Sequence, residues 1–278
     1  MTLVLALAAG ALIGLALGAL GGGGSILAVP VLVYALGQSP GQATTGSLVV
    51  VGVSSLLSAI AARRAGNVRL GQGLGFGVVA LGGAVAGARA SAHVPEPVLL
   101  ASFAALMLVV AGVMAVRLRR GSREPVAPGS GVARRRAALD DPILSFSPTF
   151  ACQCPRAVKV LVTATVVGLL TGFLGVGGGF LVVPALTLAL GLPMEYAAGT
   201  ALVVITVTSA AALAVRAGSG VAPDWMLVGA LTAAAALAGV VGTRVAGRMD
   251  TGRLTAAFTV LVLAVAVYTG VRAVPALY

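Results

Sequence analysis

What this 278-residue sequence has least of is charge, and above all negative charge. Only 9% of its residues are Asp, Glu, Lys or Arg, and seven acids stand against 18 bases. Soluble domains average about 25% charged residues, so a water-facing globule is excluded. Histidine occurs once, as His93, and cysteine twice, as Cys152 and Cys154 in "CQC". Two thiols and one distant imidazole make an incomplete zinc set, so reduced loop thiols are expected, with no metal and no other cofactor. Neither H-E-x-x-H nor G-x-S-x-G nor G-x-x-x-x-G-K-[ST] occurs. That leaves no hydrolytic constellation and no nucleotide loop, so neither an enzyme nor ATP-driven transport by this chain alone is expected. The net charge of +11 comes without interleaved aromatics or a nucleic-acid-binding module, so nucleic acid is not an expected partner.

What the sequence does have is apolar length. It is 59% hydrophobic, with a mean hydropathy of +1.09. Long apolar runs with few charges read as membrane spans of about 20 residues each. Nine of the 18 bases fall in one stretch, Arg117, Arg119, Arg120, Arg123, Arg134, Arg135, Arg136, Arg156 and Lys159. A basic loop between spans is the positive-inside signal, which makes this stretch a cytoplasmic linker. The first apolar run lacks a basic n-region and its pattern recurs later, so it reads as a retained structural segment rather than a signal peptide.

The recurrence is an internal duplication. Displaced by 154 residues, "GLALGALGGGGSILAVPVLVYALG" (14–37) lies over "GLLTGFLGVGGGFLVVPALTLALG" (168–191). Gly14, Gly18, Gly24, Pro30 and Gly37 fall on Gly168, Gly172, Gly178, Pro184 and Gly191, and with one added residue Arg89 falls on Arg244. The expected architecture is an all-α polytopic membrane protein. Its parts are a first repeat over 1–117, a polar basic linker over 118–156 and a second repeat over 157–278. Each repeat holds four apolar blocks, at about 2–37, 43–62, 70–92 and 97–116, then 157–191, 196–215, 225–246 and 254–274.

The first block of each repeat is too long for one span. About 35 residues at about 1.5 Å each would reach about 50 Å, against a hydrocarbon core near 30 Å. Its glycine cluster marks a break, because each glycine costs a helix about 1 kcal/mol relative to alanine. Either the block crosses fully and folds back part way, giving parallel repeats, or it forms a re-entrant hairpin, giving inverted ones. The bases divide 14 to 4 between the two sides in the first case and 15 to 3 in the second, so charge does not decide. Inverted repeats are preferred because their symmetry supplies alternating access.

Irregular backbone at membrane depth is tolerated only inside protein or beside a polar cavity. Gly22, Gly23, Gly24 and Ser25, with Val176, Gly177, Gly178 and Gly179, are therefore the first candidates for a binding site. The helices restarting at about Ser25 and Phe180 present free N–H groups and a positive dipole end, which suit an anion. Gly10, Gly14, Gly18 and Gly22, spaced by four, read instead as a helix-packing face. Thr44, Thr45, Ser47 and Thr200, near the starts of the second blocks, could add hydroxyl donors. Arg89 and Arg244 would either meet the anion or snorkel to the interface. No carboxylate falls within a span, so no proton relay is assigned.

With its doubled "LGGGGSILAVPVL" (20–32) and "LGVGGGFLVVPAL" (174–186), each followed by a polar helix start ("TGSL", "GTAL"), the chain resembles the TauE/SafE, or sulfite exporter, family. It departs from that family's pattern in the Gly before Ser47 and in Ala201, where a hydroxyl residue is usual. The resemblance implies a carrier of the bacterial inner membrane that exports small sulfur-containing anions such as sulfite or organosulfonates. The partners expected are that anion and the lipid bilayer, with a homodimer allowed. An anion channel, and a non-transporting subunit docking a partner through the basic linker, remain as alternatives.

Overall fold

The structure, a computed structural model, describes residues 2–91, 94, 96–121, 154–174, 179–216 and 223–273. Among them are ten α-helices and no strand. The first half holds α1 (Thr2–Leu20), α2 (Gly23–Pro30), α3 (Pro40–Arg64), α4 (Leu70–Ser91) and α5 (Glu96–Gly121). The second holds α6 (Cys154–Leu174), α7 (Gly179–Ala189), α8 (Met194–Arg216), α9 (Trp225–Ala246) and α10 (Thr251–Ala273). Five of them carry windows long and apolar enough to cross a membrane: Leu3–Leu20, Gly41–Arg64, Leu70–Gly87, Met194–Arg216 and Trp225–Ala246. The helices of the bundle are apolar on the outside as well as the inside, with Val4, Val78, Val109, Leu237 and Val260 all well exposed. An outer surface of that kind suits hydrocarbon rather than water. Most of the linker, including Cys152, and His93 lie outside the described residues.

The long first block is two helices. Leu20 ends α1, and Gly21, at φ +70°, makes a turn that only glycine takes without strain. The break comes where the glycine cluster places it, but α2 restarts at Gly23, two residues before the expected Ser25. Gly24 then packs on the Ile13 carbonyl and the Leu17 amide, so the chain has doubled back along α1. Pro30 removes a helical N–H, and the chain continues as a π-turn over Val31–Ala35. Gly37 and Gly191 both end their segments at φ +66°. Just beyond them, Gln38 N–H donates to the Leu32 carbonyl at 3.0 Å and Leu192 N–H to the Leu186 carbonyl at 3.4 Å.

Helices of one half pair with helices of the other. α1 lies against α9, and α6 lies against α4. The first seam brings Gly10, Gly14 and Gly18 against the carbonyls of Leu231, Ala235 and Gly239, and Gly242 of α9 reciprocates on the Leu15 carbonyl. The second brings Gly168 and Gly172 against the carbonyls of Ala80 and Ala84, while Gly83 and Gly87 of α4 meet the carbonyls of Thr165 and Leu169. A Cβ at any of these glycines would overlap backbone. Small residues are what let membrane helices approach this closely, and the glycine Cα–H groups then face carbonyl oxygens across each seam.

The order of these contacts gives helix direction. Gly10, Gly14 and Gly18 meet residues of rising number, so α1 runs parallel to α9. In α3, Gly46 meets Val228 and Ser58 meets Gly239, so α3 is parallel to α9 as well. In α4, Gly73 meets Thr200 and Gly77 meets Val204 and Val207, so α4 is parallel to α8. Thus α1 and α3 run one way, and the chain must return between them. The return segment carries Tyr34 to the end of the bundle where α10 finishes, and there its ring stands edge-on to Tyr268 with centroids 6.0 Å apart.

Candidate functional site

The depth of the glycine break follows from the seam. Gly14 faces Ala235, which stands at the middle of the 22-residue α9. Gly24 lies on Ile13 and Leu17, so α2 begins half-way through the bundle. There it meets α7: a Cβ on Gly179 would stand 2.7 Å from Ser25 Oγ and 2.8 Å from Ile205 Cδ1. The two short helices therefore start against each other. Gly22 caps α2 with no side-chain hydrogen bond. Fully buried Ser25 turns its hydroxyl onto the Gly22 carbonyl at 2.7 Å, and its own N–H reaches the same oxygen at 3.2 Å.

The first N–H groups of a helix have no partner within it, and its start carries about half a positive charge. Two such starts brought together repel each other unless a negative group lies near. The described carboxylates of Glu195, Asp224 and Asp250 all stand at or beside helix starts, far from this depth. Gly23, Gly24 and Gly179 are hemmed in by Leu261, α1 and Ser25, so the space between the starts is small.

The hydroxyls expected at helix starts lie further in. α3 begins at Pro40, with Ser39 as its cap, and α8 begins at Met194. Thr44, Thr45, Ser47 and Thr200 are therefore a turn or more inside. Thr45 donates to the Gly41 carbonyl at 3.1 Å and Ser47 to the Thr44 carbonyl at 2.9 Å, while Thr44 is half-buried. Thr200, fully buried, accepts from the Arg69 backbone N–H at 3.1 Å. It holds the α3–α4 connection onto α8, where Gly199 also packs on the Asn67 carbonyl and the Arg69 guanidinium lies over the Tyr196 ring at 5.4 Å.

Arg89 and Arg244 are exposed in the last turns of α4 and α9, at opposite ends of the bundle from each other and away from the meeting helices. Val176, Gly177 and Gly178 lie outside the described residues. Two serines that the pattern of helix starts did not single out stand closer to the centre. Ser55 and Ser209, 154 positions apart, are 0% and 1% exposed, and neither Oγ has a hydrogen-bond partner in the protein. Their neighbours differ: Ser54 donates to the Val50 carbonyl, Thr206 to Leu202 at 2.8 Å and Thr208 to Val204 at 3.0 Å. The available sequence signal was their matched register within a repeat.

A small cavity of about 20 Å³, room for one water, opens among Gly18, Asn67, Glu195, Thr243 and Leu254 at the end where α1, α3 and α9 finish. No group of three or more His, Cys, Asp or Glu residues able to hold a metal occurs among the described residues.

An all-helical bundle with an apolar outer surface and helix starts buried at its middle defines a polytopic membrane protein of the transporter class. Residues 6–269 match the family described as sulfite exporter TauE/SafE, and the chain belongs to that family. Two proteins of Xylella fastidiosa, from strains Temecula1 and 9a5c, are each named "Probable membrane transporter protein". Each is 30% identical to this chain over 270 residues, covering 96% of it and 94% of the relative. No solved structure matches the chain. The protein is a multi-pass membrane transporter and not an enzyme.

Proposed function

We propose that this transporter is a secondary carrier that exports a small sulfur oxyanion, sulfite or an organosulfonate, binding it at mid-depth between the starts of α2 and α7. The observation that carries this reading is the head-to-head meeting of two buried, positively poled helix ends with no described carboxylate at that depth. An anion is the group that such a junction accommodates. The family description, sulfite exporter, supports a sulfur oxyanion as the substrate.

The carrier is built from two inverted copies of one unit, residues 1–117 and 157–278, joined by the linker. Supporting this are the reciprocal seams, the matched φ of Gly37 and Gly191, and the opposite directions of α1 and α3 relative to α6 and α8, both of which run parallel to α4. In each copy the first block enters as α1 or α6, breaks, and returns as α2 or α7 toward the face it came from, a re-entrant hairpin. With α3, α5 and α9 finishing at the same face, 11 of the 14 bases among the described residues gather there and 3 at the other. That face is cytoplasmic by the positive-inside rule, and the membrane is the bacterial inner membrane. Rocking of one copy against the other then exposes the junction to each side in turn.

Reconstitution into liposomes tests the proposal. Saturable sulfite or sulfoacetate efflux, accelerated by the same anion on the far side, is the expected result. Unitary currents would point to a channel, and absence of flux for sulfite, sulfate, sulfoacetate and taurine alike would overturn the assignment.

A further inference from the structure

We infer that Ser55 and Ser209 are the side-chain ligands of the carried anion, one from each half, and that they donate their hydroxyl protons to its oxygens. This inference deepens the proposed anion carriage and rests on it. Hydroxyls buried in an apolar bundle ordinarily bond back to a carbonyl three or four residues earlier, as Ser47, Ser54, Thr206 and Thr208 do. Ser55 and Ser209 sit on the same two helices, are as deeply buried, and make no such bond. An unpartnered buried hydroxyl is destabilising, so two of them at matched positions call for a ligand.

Their location fits one ligand shared with the helix starts. Ser209 is one turn beyond Ile205, whose side chain lies against Gly179 at the start of α7. On α3, Gly52 faces Ser209 closely: its Cβ would stand 3.2 Å from Ser209 Cβ. Ser58 on the same helix is turned toward Gly239 of α9. Helical periodicity leaves Ser55 between those two directions, one turn from Gly52, at the junction of α8 and α9. Ser58 also lacks a hydrogen-bond partner, but its Oγ is pressed against Gly239 in the α3–α9 contact, and position 212 in the other half is Ala. The paired serines are thus the two free donors that the central crossing of α3 and α8 supplies symmetrically. Two neutral donors and two helix starts bind a small oxyanion without a buried cation that would hold it too tightly to release.

The test is the sulfite-induced rise in melting temperature of the purified full chain in detergent, with sulfite flux in liposomes alongside. Ser55→Ala and Ser209→Ala should each weaken sulfite binding about tenfold, the worth of one hydrogen bond to a charged group. Both should melt, without sulfite, no lower than the parent. Ser54→Ala and Thr208→Ala, whose hydroxyls are bonded to their own helices, should bind sulfite as the parent does. Should an alanine variant fail to fold, Ser→Cys at that position keeps the volume, weakens the donor and carries the same expectation. If the parent binds sulfite and both serine variants match it, or only one is affected, the paired-serine assignment is overturned while anion carriage stands. If the parent neither binds nor moves sulfite, sulfate or sulfoacetate, anion carriage falls and this inference with it.

Discussion

The two halves of the molecule are alike where helices meet helices and unlike where they meet the ends. The α1–α9 seam and the α4–α6 seam use the same device at positions displaced by 154 residues on one helix and 155 on the other: Gly14 on Ala235 and Gly168 on Ala80, Gly18 on Gly239 and Gly172 on Ala84. Near the ends the correspondence breaks down. Thr200, tied to Arg69, stands where the first half has Gly46, which meets only Val228 and other side chains. Buried Gln38 stands where the second half has buried Leu192. Under the proposed carrier mechanism one central site is exposed by two routes, which would hold the scaffold in common and leave the routes free to differ.

The largest expected effect tests the common part. Gly14→Ala and Gly168→Ala each place a Cβ inside a backbone carbonyl of the partner helix, so the seam must open. Overpacking of this kind costs about 1–3 kcal/mol or more. Both variants should lose several degrees of melting temperature in detergent, and by similar amounts. Gly82→Ala, where a Cβ meets nothing within 4 Å, should be neutral or slightly stabilising through helix propensity. Unequal losses at Gly14 and Gly168 would break the equivalence of the seams.

These seams also show how much was legible beforehand. The spacing of Gly10, Gly14 and Gly18 announced a packing face, and the glycine cluster announced a break, because both are statements about local backbone. What the glycines touch was not legible. Gly24 belongs to the cluster read as a candidate site, yet it and the neighbouring Gly21 are hemmed in by α1 and by Ala198 and serve close packing. Gly22, counted both with the packing face and among the candidate site residues, is the cap of α2. The hydroxyls were ranked by nearness to a helix start, and the starts moved: Pro40 and Met194 lie two to three residues before the apolar blocks begin. A polar first turn capped by Ser39 carries no hydropathy signal, so the block edges missed it. Nor could sequence separate Ser54 from Ser55, since which hydroxyl is satisfied depends on rotamer and on the neighbouring helix. Helix direction, left open by charge counting, came from residue-level contacts alone.

A middle-sized effect is expected where the ends differ. Thr200→Val removes the acceptor of the Arg69 N–H, leaving a partly buried donor unpaired at a cost of about 1–3 kcal/mol. The α3–α4 connection should loosen from α8, and amide exchange over residues 66–70 should speed up by at least about tenfold. Gly46→Thr, which copies the second half into the first, has no equivalent donor to recruit and must displace a Val228 methyl 2.9 Å from the new Cβ. It should therefore destabilise without slowing exchange at residues 223–228. Slowed exchange there would show that the two connections are interchangeable after all.

The smallest effect belongs to Gln38. It is 8% exposed, and neither its Nε2 nor its Oε1 has a hydrogen-bond partner in the protein. A buried amide without partners is destabilising by about 1–3 kcal/mol, of which the residual exposure recovers a part. Gln38→Leu copies Leu192 from the other half and should raise the melting temperature by one to a few degrees, roughly what about 1 kcal/mol is worth in a chain of this size. The reverse change, Leu192→Gln, places the same amide in a pocket that has no use for it and should lower stability by more than Gln38→Leu raises it. If both changes instead slow sulfite flux with little effect on melting, the difference between the halves lies in the path of the anion and not in packing. Gln38 would then mark the route from the membrane face where the basic residues are few.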